Sequence, residues 1–186
     1  MAIWGFDMRK IAGAALGLAL LCAGPAAAQL APNSNAPVDL TADELEVVNA
    51  ECLAIWRGSA EALQDTARLR ADTLRIYNQK GAAKAGAAGP NCGEVERMDA
   101  QGNVYYVTPQ QRVRGDTALY EAAHETITFT GDVVAVQGKN VLRGGRLVVN
   151  VKTGAAQMQT SAKGRNSPGR VRGVFYPNEQ QTQGGR

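Results

Sequence analysis

A single histidine, His124, stands in the 186 residues, and this scarcity excludes a great deal. A Ser-His-Asp triad or a zinc site built on histidines has almost nothing to draw on. His124 itself, between Ala123 and Glu125, reads as a turn residue. No glycine-rich phosphate loop and no zinc-ligand spacing is present. Beyond residue 28 no window repeats apolar residues at three and four, so helices are not expected there. Paired carboxylates exist, Glu44 with Glu46 and Glu94 with Glu96, and would suit a glycosidase. In a strand, however, residues two apart share one face, usually the solvated one. The chain reads as a non-enzyme with no cofactor.

A long apolar run is also missing. The only candidate, Ile11 to Gly24, is too short at about 1.5 Å per residue to cross a hydrocarbon layer of about 30 Å. With Arg9 and Lys10 before it and Ala26 and Ala28 after it, residues 1–28 read as a cleaved secretory signal. Leu21 before Cys22 is too bulky for lipidation. That leaves two cysteines, Cys52 and Cys92, in a chain expected where disulfides persist, and a bridge between them is the natural pairing. Two buried free thiols are the alternative.

Charge is unevenly placed. Residues 29–151 hold 12 Lys or Arg against 15 Asp or Glu, whereas residues 152–186 hold six against one. From Ser161 the chain is rich in Gly, Pro, Gln and Ser, so 161–186 is expected to be a disordered basic tail that either touches an anionic membrane surface or merely solubilises.

What the chain does contain is repetition. "LTADELEVV" from Leu40 is echoed by "LRADTLRIY" from Leu69, "VRGDTALYE" from Val113 and "LRGGRLVVN" from Leu142, at separations of 29, 44 and 29 residues. The additional 15 are supplied by a Gly- and Ala-rich stretch, 79–93, read as an inserted loop. Gly58, Gly102 and Gly131 each stand eleven positions ahead of a phrase. A fixed period signals stacked units, and "ETITFTGDVVAV" alternates hydroxyl and apolar residues, as a strand does. The body, 29–160, is therefore expected to be all-β, with short strands joined by turns at Gly-Asn, Gly-Asp, Gly-Lys-Asn and Asn-Ala.

Within the phrase the first position is apolar, the third is small, and the fourth is Asp43, Asp72, Asp116 and then Gly145. Aspartate at a fixed corner suits a turn in which it bonds its own backbone. A calcium column lacks the further oxygen ligands that it needs. "RGD" at Arg114–Asp116 invites an adhesion reading but belongs to the repeat column. Inward positions are expected at Val47, Trp56, Leu63, Leu69, Leu74, Ile76, Val104, Tyr106, Val113, Ile127, Phe129, Val133, Leu142, Leu147 and Val149. These side chains either pack as a plain core or line a slot for acyl chains. On stacking grounds Cys52 and Cys92 fall at roughly corresponding places on successive rungs, close enough to bridge.

Over about residues 38–158 these motifs resemble the OstA-like LptA family of lipopolysaccharide transport. The run from Gly102 to Met158 carries the resemblance best, with Gly-Asn-Val, Arg-Gly-Asp-x-Ala-x-Tyr, Thr-Gly-Asp-Val, Gln-Gly and Leu-x-Gly-x-x-Leu in order. The resemblance implies a twisted, V-shaped β-jelly roll of stacked antiparallel strands, open at both ends. It implies a periplasmic carrier that binds lipopolysaccharide through its lipid A acyl chains. It also implies partners: LptC, the N-terminal domain of LptD, and other copies of itself joined end to end. Nucleic acid is not among them. An exported structural or adhesive β-solenoid without lipid cargo is the alternative. The cysteine pair with its insertion, and the basic tail, depart from the family pattern.

Overall fold

The computed structural model describes residues 30, 31, 34, 36–81, 91–162, 164, 165 and 169–177. The expected signal, 1–28, and the centre of the expected insertion lie outside these residues. The described residues form ten strands: β1 (Asp39–Thr41), β2 (Glu44–Val48), β3 (Leu53–Gln64), β4 (Ala67–Gly81), β5 (Asn91–Val107), β6 (Arg112–Glu121), β7 (Thr126–Gln137), β8 (Asn140–Asn150), β9 (Ala156–Gln159) and β10 (Arg172–Val174). They make one antiparallel sheet in the order β1-β3-β4-β5-β6-β7-β8-β10, with β2 also on β3 and β9 also on β8. From β3 to β8 each strand pairs with its neighbours in the chain.

Besides slips in β4–β5 on either side of Asn78, all five of these ladders slip register near their middle, at Arg57/Ala60, Arg70/Thr73, Gln101/Val104, Arg114/Thr117 and Thr130/Val133. The slips line up as a crease that bends every long strand and divides the sheet into two arms. Gly58, Gly102 and Gly131 form it, with φ of +79°, +77° and +102°. A Cβ on any of them would overlap the carboxylate of Asp43, Asp72 or Asp116 respectively, one strand away. Each repeated aspartate therefore sits in a notch left by a repeated glycine, and the Asn103 amide donates to Asp72 at 3.0 Å. The Gly-Asn and Gly-Asp pairs expected as turns are thus mid-strand bulges. Both structures ask for φ > 0 beside a short polar residue, so the local sequence is the same. Gly138-Lys139 is a true turn. At the fourth corner, Gly145 faces Thr160 instead of an Asp–Gly pair, and the regular stack stops there.

The inner faces of the two arms meet in one core. On one arm the row Leu40, Ala62, Leu69, Tyr106, Val113, Ala135, Leu142 runs across the strands. The first position of every repeat copy thus lies on one line, with a residue of the intervening strand between copies. On the other arm run Trp56, Leu74, Ala100, Ala118, Phe129, Leu147 and, one residue pair along each strand, Ala54, Ile76, Met98, Tyr120, Ile127, Val149. The Tyr106 and Phe129 rings, from opposite arms, lie 6.0 Å apart between centroids. This folding of a single sheet onto itself is the V-shaped jelly roll.

Two expectations about loops need correction. Residues 79–81 and 91–93 of the expected insertion are strand, with Lys80 opposite Cys92 and Gly81 opposite Asn91. In the tail, Arg172–Val174 pairs with Arg143, Leu142 and Val141 of β8, and Tyr176 donates its N–H to the Asn140 side chain at 2.9 Å. Three residues are too few to show a period, and it is the uncovered half of β8, left by short β9, that gives them a partner.

Candidate functional site: the apolar interior between the arms

Of the expected inward positions, Leu69, Leu74, Ile76, Val104, Tyr106, Val113, Ile127, Phe129, Val133, Leu147 and Val149 are buried in the common core. Trp56 is half-buried and packs against that core, and Leu142 is half-buried on the first row. Two positions differ. Leu63 points to the outer face, because Ala62 and Gln64 on either side of it are the buried ones; alternation allows only one set. Val47 is 56% exposed. It is in register with Ala54 and Ile76 on the inner face, but β2 is an edge strand and no described residue covers it.

Leu45, likewise exposed, stands opposite Trp56. The interior therefore opens at the β2 edge, with Leu45, Val47 and Trp56 at the opening. The Trp56 Nε1–H is buried and finds no acceptor among the described residues. An unmatched donor of this kind costs about 1–3 kcal/mol unless something else supplies an oxygen.

The first arm is closed by a segment that sequence reasoning missed. Leu30 and Ala31 are buried in the core. Their N–H groups donate to the buried Gln64 Oε1 at 2.6 and 3.1 Å, Gln64 Nε2 donates to the Ala36 carbonyl at 2.9 Å, and the Tyr106 hydroxyl donates to the Leu30 carbonyl at 2.6 Å. Burial pushes the Tyr106 hydroxyl up to about 12, so it stays a donor at any ordinary pH. The signal was there in part, since a glutamine on the inner face of a strand needs polar partners. Gln64→Ala should leave these backbone groups unmatched and lower stability by about 1–3 kcal/mol. Urea denaturation together with faster amide exchange at Leu30 checks this.

Cys52 and Cys92 are joined, with Cα atoms 5.3 Å apart. The bridge ties the start of β3 to the start of β5 across the far end of β4. Among the described residues no cluster of His, Cys, Asp and Glu is disposed to hold a metal ion. The site is a long apolar core between two arms, uncovered at Leu45 and Val47, and among the described residues no reactive groups converge on it.

Residues 39–155 match the family model described as LptA/(LptD N-terminal domain) LPS transport protein. The chain belongs to this family. The LptA-like fold is also that of LptH, the LptA-homologous periplasmic component of the lipopolysaccharide transport device of Pseudomonas aeruginosa. Its crystal structure superposes with a TM-score of 0.61 at 16% identity, covering 76% of this chain and 96% of that one. An uncharacterized protein of Rhizobium meliloti (strain 1021) is 27% identical over 159 residues, covering 85% of this chain and 82% of its own length. The matched family region runs from β1 to the turn after β8, so it contains the whole crease and both inner faces.

Proposed function

We propose that this chain is a periplasmic carrier and bridge that moves lipopolysaccharide from the inner to the outer membrane, holding the acyl chains between its two arms. Membership of a lipopolysaccharide transport family supports this cargo. The observation that carries the mechanism is the continuous apolar interior that reaches the surface at Leu45, Val47 and Trp56. Acyl chains entering there would exchange water for Trp56, Leu74, Ile76, Phe129 and Leu147. Each CH2 kept dry is worth about 0.8 kcal/mol, so a lipid with several chains gains a large affinity without any chemical step. The family is one of transport proteins, and nothing enzymatic is assigned.

In this reading the related components LptC and the N-terminal domain of LptD are the partners at the two ends, along with further copies of the chain, each joining by strand addition. The edges available are β1–β2 at one end and β9–β10 at the other. Strand β10, from the basic tail, then forms part of the second junction.

A photoreactive residue placed at Trp56 or Val47 should capture lipopolysaccharide in the native bacterium, while one at exposed, outward Thr117 should not. Capture only from Thr117 would rule out the interior as the site. Depletion that leaves lipopolysaccharide arriving at the cell surface would favour the alternative of a structural β-protein.

A further inference from the structure

The outer faces of the two arms carry different charge. On the first arm two adjacent rows cross the sheet outside the core. One reads Glu61, Arg70, Tyr105, Arg114, Val134, Arg143, Arg172; the other reads Leu63, Arg68, Val107, Arg112, Val136, Val141, Val174. Arg70 lies opposite Tyr105, Tyr105 opposite Arg114, and Arg143 opposite Arg172. Arginines on alternate strands recur at about 10 Å. The corresponding outer row of the second arm reads Glu46, Ile55, Arg75, Asp99, Leu119, Thr128, Val148, Gln157, with one arginine against two carboxylates.

Part of this positive charge is already matched. Glu61 takes Arg68 and Arg70 at 2.9 and 2.6 Å, and Asp132 takes Arg143 at 2.8 Å. Among the described residues Arg112, Arg114 and Arg172 have no carboxylate within ion-pair distance, and all three are exposed. Between the arginines lie Tyr105, Val107, Val134 and Val136. At the β10 end the outer row finishes in exposed Val174, with exposed Tyr176 beyond it; the Phe175 ring lies on the other side of the sheet, against Gly173 and Leu142. Leu63, Arg68, Arg70, Tyr105 and Val107, with Asp65 and Thr66 of the β3–β4 turn at its rim, line an open depression of about 680 Å³ on this outer side.

We propose that this face docks on an anionic phospholipid surface. Guanidinium groups recognise phosphate oxygens in pairs of hydrogen bonds. The exposed Tyr105 ring beside them suits the headgroup boundary, where one end of a ring is apolar and the other wet. The combination of basic and aromatic residues on one exposed face is what membrane-surface association requires. A cargo held in the interior is on the opposite side of the sheet, so its own phosphates do not satisfy these rows. The face therefore orients the groove relative to a membrane, independently of what the groove carries.

Co-sedimentation of the purified protein with vesicles tests this. Binding is expected to vesicles containing phosphatidylglycerol, not to phosphatidylcholine alone, and to fall as salt is raised. Arg112→Ala with Arg114→Ala should weaken it roughly 30-fold at low salt. Arg146→Ala, near the crease, should leave it nearly unchanged, with thermal unfolding confirming that each variant is folded. A chain ending at residue 160 should bind more weakly yet still prefer anionic vesicles. Equal binding to neutral vesicles overturns the proposal, as does full binding by the double variant with none by the shortened chain, which would assign the contact to the tail. Displacement by millimolar inorganic phosphate at constant ionic strength would instead mean a discrete phosphate pocket, and would also overturn it. None of these outcomes bears on capture from Trp56, so the interior reading stands or falls separately.

Discussion

Replacing the disulfide, Cys52→Ala with Cys92→Ser, should lower the unfolding free energy by about 4 kcal/mol. The bridge spans 40 residues, and on the chain-entropy estimate a loop of this size restricts the unfolded chain by that amount. Alanine is chosen at position 52 because that side chain is buried, and a serine hydroxyl would add its own desolvation cost. The rest of the local structure does not need the bridge. Seventy-three residues on, Glu125 follows a 3₁₀ turn as Cys52 does, with the same φ of 51° and ψ of 40°. The Asn78 N–H donates to the Cys52 carbonyl at 2.9 Å, and the Val151 N–H donates to the Glu125 carbonyl at 2.9 Å. The second turn is thus built without a bridge, held on its flank by Lys152 at 3.4 Å from Glu125. The variant should fold with the same sheet and a lower urea midpoint. An unchanged midpoint, or free thiols by mass spectrometry of the unreduced protein, would show that the bridge contributes nothing.

The crease gives the second large effect. Gly102→Ala must place a Cβ where the Asp72 carboxylate stands and must hold an L-residue at a φ of +77°. The backbone part costs about 1–2 kcal/mol, and displacing the carboxylate brings the expected loss to about 2–4 kcal/mol. Adding Asp72→Gly should return the steric part and leave the backbone part, so the pair of changes is less harmful than their sum. Gly154→Ala is the control: φ there is +70° and nothing lies within 4 Å of the added Cβ, so it should lose only about 1–2 kcal/mol. If Gly102→Ala and Gly154→Ala cost the same by chemical denaturation, the aspartate-in-notch account is wrong.

The parts of this fold that could be read from the sequence are those set by register. Leu40, Leu69, Val113 and Leu142 share a cross-strand line because a sheet repeats side-chain direction every two residues, so equal spacing in the chain becomes equal placement in space. The glycines and aspartates were legible as a column but not as a crease. A bulge inside a strand and a turn between strands make the same local demand, and only the pairing on both sides tells them apart. Leu63 was misplaced because β3 carries apolar residues on both faces around it, Ala62 inside and Leu63 outside. Leu30 was hidden for a different reason: a leucine two residues past an expected cleavage site has no periodic neighbours, and its burial depends on Gln64 and Tyr106, more than thirty residues away. The arginine rows were equally invisible, since their members come from β4, β6, β8 and β10 and only the sheet brings them into line.

The order of the sheet also sets how it can form. From β3 to β8 no strand waits for a partner made much later, and the remaining ladders skip only one short strand, as β1 does to reach β3 and β10 to reach β8. Such a meander can add hairpins in sequence as the chain emerges N-terminus first, with little loop entropy to overcome at each step. Cys92 appears before half of β5 has been delivered, so the first three long strands can be locked together while β6 to β8 are still unfolded. Each newly exposed apolar edge is then covered by the strand that follows it rather than by another molecule.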